Sequence, residues 1–350
     1  MTKIICVGDI HVMDRPPKNA TESYTDDIIS MLYWIADEAD RLKVDAVVWA
    51  GDVFHFKQPS KTSHALVLRM IAVVRYYRKK GLKLYIVTGN HDISNDVLAT
   101  VHEKQPLGVL YKAGAVELVG WDKTGLPLFG VPWQANWTTD ESASMDAFYN
   151  WRVAKHDEEH PRYPERSLAV THAPIYPPGE AEKQLFELVP TQGEHGLSAA
   201  MGNEGFLYYG HIHEYHSVFE VEGVTYANMG AISRGSLTEY NIEREIKVAL
   251  WTDGAEERFE MSDGTGYTTL GEPGFIEIPV PHKPAEEVLK IAQASEEKAD
   301  KISLDSFLSE VGHSTLDISN TSNVISHIQS REDVPEKVKK TAIEILEEVG

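Results

Sequence analysis

The chain has 350 residues, 42% of them hydrophobic and 25% charged, a balance suited to a globular protein with a sizeable core. No run approaches the roughly 20 apolar residues of a membrane-spanning helix, which excludes an integral helical membrane protein. A formal net charge of −21 argues against a free-standing nucleic-acid binder, because such proteins carry a basic surface that releases counterions from phosphates.

A strand-like run begins at Lys3, so no signal peptide is expected. The single cysteine, Cys6, lies inside that run without an intrachain partner and reads as the buried reduced thiol of a cytoplasmic protein. Residues 4–7, 46–50, 82–88, 168–171 and 206–209 are apolar nearly throughout, the pattern of parallel strands covered on both faces. Between the first two, the stripe Ile28, Leu32, Ile35, Ala39 and Leu42 predicts a helix, and a second helix is centred on Leu68, Ile71, Val74 and Arg78. The opening is therefore βαβαβ, with right-handed crossovers. Residues 133–166 are polar and read as an insertion with a helix over 141–155. After Gly210 the pattern shifts to a hairpin, 216–221 and 224–228 around Glu222-Gly223, then a strand over 246–251, a loose connection over 253–274 and a strand over 275–280. From Pro281 the composition becomes acidic and helical, which divides the chain into a domain over 1–280 and a C-terminal segment over 281–350. A last helix over 335–349 is marked by Asp333 and Glu336 around Pro335 and by the stripe Val338, Ala342, Ile345, Leu346 and Val349.

Five of the predicted strands run directly into residues of metal-ligand type: Gly8-Asp9-Ile10-His11, Gly51-Asp52-Val53-Phe54-His55, Gly89-Asn90-His91-Asp92, Thr171-His172-Ala173 and Gly210-His211-Ile212-His213. Sites in open α/β sheets form beyond the carboxyl ends of the strands, so these distant segments should converge. In extended chain, residues two apart point to the same side, so Asp9 with His11, and His211 with His213, can present paired ligands. Glycines before Asp9, Asp52, Asn90 and His211 suit a chain that must turn sharply at each strand end. Carboxylate, amide and imidazole without thiolate fit manganese, iron or zinc rather than a purely structural zinc. Seven ligands exceed what one tetrahedral ion takes, and a carboxylate such as Asp52 can bridge a pair of ions, an arrangement used for in-line phosphoryl displacement.

Over roughly residues 1–240 these motifs resemble the calcineurin-like metallophosphoesterases. Asp52 to His55 followed by Pro59-Ser60, Asn90-His91-Asp92, and the glycine-serine turn over 228–236 are similar to the nuclease subunit of SbcCD-type DNA-break-processing complexes, the meiotic recombination eleven family. Serine/threonine phosphatases fit less well, since His55-Phe56-Lys57 stands where they carry aspartate, arginine and glycine. The resemblance implies an α/β fold of two mixed sheets flanked by helices in four αββα layers, with a short helical C-terminal extension acting as a reduced cap or a partner-docking region. It assigns one divalent ion to Asp9, His11, Asp52 and His213 and another to Asp52, Asn90, His172 and His211, with Mn²⁺, or else Fe²⁺ or Zn²⁺, as the metal. His91 then protonates the leaving oxygen and His55 is a second histidine on the substrate side. It further implies DNA as substrate, an SMC-like coiled-coil ATPase of the SbcC type docked through the last helix, and a homodimer. A phosphodiesterase or phosphatase acting on nucleotides through the same site is the alternative, and a scaffold with a vestigial site a third reading.

Other features carry less. Asp92 stands where a helix N-cap belongs. The segment from His156 to His160 lacks the glutamate that a zinc-protease helix has after its first histidine, and Pro161 follows it. Trp133 and Trp137 read as local core rather than base-stacking platforms. Lys57, Lys61, Arg69, Arg75, Arg78, Lys79 and Lys80 read as a solvated helix face.

Overall fold

Strand β1 (Lys3–Val7) is followed by helix α1 (Tyr24–Arg41), strand β2 (Ala46–Trp49), helix α2 (His64–Lys79) and strand β3 (Leu84–Ile86), the expected βαβαβ opening. The computed structural model describes residues 2–93, 101–114, 116–118, 125–140, 142–148, 167–181, 188–235, 238–254, 257–260, 267–270 and 273–291, with 329, 339, 340 and 343 as helical positions further on. The three strands are parallel, Ile4 lying opposite Ala46 and Val47 opposite Leu84. Helices α3 (Val101–Lys104) and α4 (Pro106–Lys112) lead to β4 (Glu117–Leu118), parallel to β3.

A second sheet contains β5 (Leu128–Val131), β6 (Leu168–His172), β7 (Gly205–Gly210), β8 (His216–Val221) and β9 (Val224–Asn228), in the order β5-β6-β7-β9-β8. All but β8 are parallel, and β8 is the antiparallel arm of the expected hairpin with β9. The chain then returns to the first sheet. Strand β10 (Lys247–Thr252) lies antiparallel on β1 and, after a hairpin of β11 (Glu257–Glu260) and β12 (Tyr267–Leu270), β13 (Gly274–Pro279) lies antiparallel on β10.

Alternation along each strand explains why so many are apolar throughout: both faces are covered. Ile4, Cys6, Val48 and Trp251 of the first sheet meet Leu168, Val170, Phe206 and Tyr208 of the second. On the far side of the first sheet the Trp49 ring meets Tyr77 of α2 at 5.8 Å, and the Tyr77 hydroxyl donates to the Leu32 carbonyl of α1 at 2.8 Å. The far side of the second sheet presents Ala169, Leu207 and Tyr226 to α5 (Ala143–Ala147) and α6 (Leu197–Met201). These are two mixed sheets flanked by helices, the α/β architecture implied above.

The chain forms two compact units, Met1–Val288 and Leu289–Gly350. The end of the first is tied to α1 by Thr21 and Ser23, whose hydroxyls donate to the Glu287 carbonyl at 2.6 and 2.7 Å, and by Asp27, which accepts from the Lys283 amide at 2.9 Å. In the second unit the helix predicted over 335–349 is seen at 339, 340 and 343 and otherwise lies outside the described residues, as do 149–166, which include the His156 to His160 segment. Among the described residues no helix is long and apolar enough to cross a membrane.

Two local expectations fail for physical reasons, and a third lies mostly outside the described residues. Helix α2 buries Leu66, Met70, Val73, Val74 and Tyr77, whereas Leu68 is 64% exposed, because the row that the sheet covers is rotated N-terminally from the expected stripe and shares only Val74 with it. The connection over 253–274 contains the β11–β12 hairpin, whose polar sequence hides a strand signal. Of the helix expected over 141–155, the described part is only Ala143–Ala147. The register of α2 gives a measurable consequence. Leu66→Ala should cost about 2–5 kcal/mol in urea unfolding. Ser63→Ala, which removes the side chain that accepts from the Leu66 amide at 3.1 Å, should cost about 1 kcal/mol.

Candidate metal centre

The parallel strands of both sheets end on one side of the molecule, and there the predicted residues come together. Three of them, His11, Asp52 and His211, hold positive φ angles of 47°, 49° and 80°, a left-handed backbone that costs non-glycine residues ~1–3 kcal/mol each and persists only where the surroundings impose it. Backbone bonds between segments impose it here. The His11 amide donates to the Asp52 carbonyl at 2.8 Å, and the Ile232 amide to the Asp9 carbonyl at 2.9 Å.

The glycines act differently from the expectation of sharp turns. Gly51 does take a positive φ of 107°. Gly89 does not: it is required by crowding, since a Cβ there would lie 2.2 Å from Asp52 Oδ1.

Donor atoms gather in two groups that share carboxylates. His11 Nε2 stands 2.9 Å from His213 Nε2, and each is 3.8 Å from Asp9 Oδ1. Asn90 Oδ1 stands 3.1 Å from both His172 Nε2 and His211 Nδ1. Between the groups lies Asp52 Oδ2, 3.4 Å from His11 Nε2 and 3.4 Å from His172 Nε2. Ligands ~2.1 Å from one ion stand ~3.0 Å apart at neighbouring octahedral corners and ~3.4 Å apart at tetrahedral ones, so these spacings fit shells around two centres.

Hydrogen bonds aim the donors. The His91 amide donates to Asp52 Oδ1 at 2.8 Å, leaving Oδ2 for the centre, and the His211 amide donates to both Asp9 oxygens at 3.1 and 3.0 Å. His172 Nδ1 donates to the Ala50 carbonyl at 2.7 Å, which turns Nε2 toward the carboxylates, the arrangement that orients ligating histidines.

Charge supplies the test of fit. Asp9 is fully buried and Asp52 2% exposed, yet among the described residues neither has a lysine or arginine within ion-pair distance. Burying such carboxylates without a cation is costly. Burial foremost, with the Asp52 charge adding and His172 opposing, pushes the Asp9 carboxyl up to about 7. Burial would also raise Asp52, but His172 and the other imidazoles override it and hold its carboxyl well below the usual range. His11 is held well below the usual imidazole value by burial, and His211 is brought down to about 3 by burial and the His172 charge, so both present neutral nitrogens. Burial would lower His172 too, but the Asp52 and Asp9 carboxylates override it and raise its imidazole to about 9, so that, protonated, it takes the place of a cation between them. Two buried carboxylates, an amide oxygen and imidazoles form a donor set suited to divalent cations.

The remaining candidates adjoin it. His91 and His55 stand against His11, ring centroids 4.9 and 5.3 Å away, and His91 Nδ1 donates to the His55 carbonyl. Burial, then the His91 charge, lowers the His55 imidazole. Asp92 has a role beyond the cap expected of it, residues 94–100 lying outside the described ones. Its Oδ1 accepts from the Val53 amide at 3.1 Å and its Oδ2 from the Gly89 amide at 3.0 Å, so it clamps the loops after β2 and β3 together beneath the centre. Sequence reasoning also missed Arg244, which donates to the carbonyls of Ala231 and Ser233 at 2.5 Å each and braces the glycine-serine turn. Trp137 is core, its indole donating to the His172 carbonyl at 3.3 Å, and Trp133, half-buried, packs against the same core while its ring lies beside His211.

The family model for calcineurin-like phosphoesterases matches residues 2–229. The DNA double-strand break repair protein Mre11 of Archaeoglobus fulgidus is 22% identical over 247 residues, 70% of this chain and 52% of that protein, so the chain spans about half of that relative's length. Among solved structures, a dimetal phosphatase from Danio rerio is similar at 13% identity, covering 80% of this chain and 99% of that one with a TM-score of 0.44. A protein of Thermus thermophilus, TT1561, is similar at 14% identity, covering 72% and 94% with a TM-score of 0.42.

The shared position of Asp52 separates it from the other donors. Elemental analysis of reconstituted, desalted protein should find two divalent ions per chain. His213→Ala should lose one, and Asp52→Asn should lose most of both, because an amide cannot bridge two cations as a carboxylate does.

Proposed function

We propose a function from one premise: the chain belongs to the calcineurin-like phosphoesterase family, whose members act through a dinuclear metal site. On that premise it is a metal-dependent phosphodiester hydrolase, and the observation that carries the reading is Asp52 Oδ2 poised 3.4 Å from a donor of each group. Asp9, His11, Asp52 and His213 would hold one divalent ion, and Asp52, Asn90, His172 and His211 the other. Such ions lower the pKa of water and neutralise phosphoryl oxygens, and Mn²⁺ suits this mixed oxygen and nitrogen set.

The chain's own residues supply the proton. The His55 carbonyl can only accept, so His91 Nδ1 carries a hydrogen and Nε2 is the nitrogen left for the substrate. As water adds to phosphorus and the P–O bond to the leaving alcohol breaks, protonated His91 gives its Nε2 hydrogen to the departing oxygen. His55 sits on the same side, its ring 5.5 Å from His91.

DNA is the proposed substrate, supported by the likeness to the archaeal repair protein and by His55 with Pro59-Ser60. A coiled-coil ATPase partner docked on 335–349 would bring the DNA-binding surface. A homodimer is proposed through α2 and α4, where Leu68 and Val109, 64% and 46% exposed, line an apolar groove of about 420 Å³.

Cleavage of a plasmid fragment and of bis(p-nitrophenyl) phosphate, each with and without Mn²⁺, tests the substrate: cutting of both supports the nuclease, of the small ester alone the nucleotide hydrolase, of neither a vestigial site. His91→Ala should keep its metal content while turnover falls by roughly 10² to 10⁴. Leu68→Asp should shift sedimentation from dimer to monomer.

A further inference from the structure

One side of the centre opens into a groove of about 750 Å³, within the ~300–1,000 Å³ range of small-ligand sites. The groove is lined by His211 and His213 of the centre together with Trp133, Tyr176, Thr138 and Glu214. Neither His91 nor His55 lines it, for both stand against His11. A phosphodiester whose departing oxygen faces His91 therefore directs its other ester group, the one that stays on phosphorus, toward the groove.

The walls state what that group is. Trp133 is half-buried, its ring 4.9 Å from that of His211 at a tilt of 33°, and its amide donates to the Thr88 carbonyl at 2.9 Å. Its indole nitrogen is buried with no hydrogen-bond partner among the described residues, so the ring and not the N–H dipole is what it offers. Tyr176 is fixed by its hydroxyl, which donates to Glu214 Oε2 at 3.3 Å, and by packing on the His216 ring at 4.6 Å. Two aromatic rings already set in place cost little to order on binding. Among the described residues the lining includes no lysine or arginine, and Glu214 is an exposed carboxylate, which favours an uncharged group there.

We propose that this groove is the subsite for the retained nucleoside of the scissile phosphodiester, its base stacked on Trp133 with Tyr176 beside it. The assignment rests on the phosphodiesterase reading above and narrows it: the group held next to the cleaved bond is a nucleoside, and hydrolysis leaves it as a nucleotide. Stacking on one aromatic side chain is worth roughly 10-fold or more in affinity.

Two esters with the same leaving group test it on the Mn²⁺-loaded full chain: thymidine 5′-(p-nitrophenyl) phosphate and methyl p-nitrophenyl phosphate. Wild type should prefer the nucleoside ester by about 10-fold or more in kcat/KM. Trp133→Ala should bring that ratio close to one, chiefly through KM, and Trp133→Phe should restore most of it. Thr138→Trp, which narrows the groove, should raise KM for the nucleoside ester more than for the methyl ester, and it serves if Trp133→Ala does not fold. An unchanged ratio, or an equal fall on both esters, would overturn the subsite and leave Trp133 as a support for His211. If wild type hydrolyses neither ester, the phosphodiesterase reading fails by itself. Calorimetry of thymidine 5′-monophosphate against methyl phosphate then decides the groove: a nucleotide preference lost in Trp133→Ala upholds it, and no preference overturns it.

Discussion

The rest of the structure depends on the burial of two carboxylates, Asp9 and Asp52, with no lysine or arginine beside them among the described residues and only imidazoles, His172 foremost, to oppose their charge. Burying two like charges with so little compensation is among the costliest things a fold can contain. The surroundings are arranged to tolerate it: backbone amides of His91 and His211 point at the outer oxygens, and imidazoles crowd the inner ones. The left-handed residues and the close-packed Gly89 follow from the same need, because each lets two chain segments approach closely enough to share a cation shell. Three of the left-handed non-glycine residues lie at the centre, where two covered sheets supply the stability that bears their strain.

Face-to-face packing makes the site possible. Parallel strands of one sheet could bring Asp9, Asp52 and Asn90 into a row, but His172 and His211 come from the second sheet and meet them only because the two sheets end on the same side. Bonds that cross the boundary, His172 to the Ala50 carbonyl and the His211 amide to Asp9, therefore belong both to the fold and to the centre. The clamp of Asp92 on Val53 and Gly89 does the same between β2 and β3.

This dual role explains what the sequence could and could not disclose. The strands were legible because a doubly covered strand is apolar at every position, and the ligands because each follows such a strand at once. Apolar content alone does not give the direction a helix faces: Leu68 and Leu66 are equally hydrophobic, and only the sheet beneath α2 decides between them. Strand β5 carries a proline before it and a glycine within it, and its place is fixed by pairing with β6 rather than by its own residues. Asp92 and Arg244 were illegible for a related reason, since they bond to backbone groups far away in sequence and leave no periodic trace. The two tryptophans show the limit of residue type: Trp137 lies in the core and Trp133 at the groove, four positions apart in one polar segment.

The charge of the chain then bears on how a polyanion could be held. Two residues of the basic stretch on and around α2 are engaged with acidic residues of α1, Arg69 with Asp26 at 2.5 Å and Lys80 with Asp37 and Asp40 at 2.8 and 3.3 Å. Arg234 and Arg244, the buried arginines behind the centre, are occupied with backbone carbonyls. With a net charge of −21 and these cations committed, the chain gains less from counterion release than a basic surface would. Attraction for a phosphodiester is thus confined to the centre, where bound cations oppose the acidic surface over a few ångströms, and to groups that recognise a base without charge. Screening shortens the reach of the surface field to about 8 Å at physiological salt, so the repulsion acts mainly on the strand beyond the site. A short phosphodiester meets the favourable part of this field and a long duplex meets both, which is the physical reason a nuclease of this composition would depend on a partner for its grip and not for its chemistry.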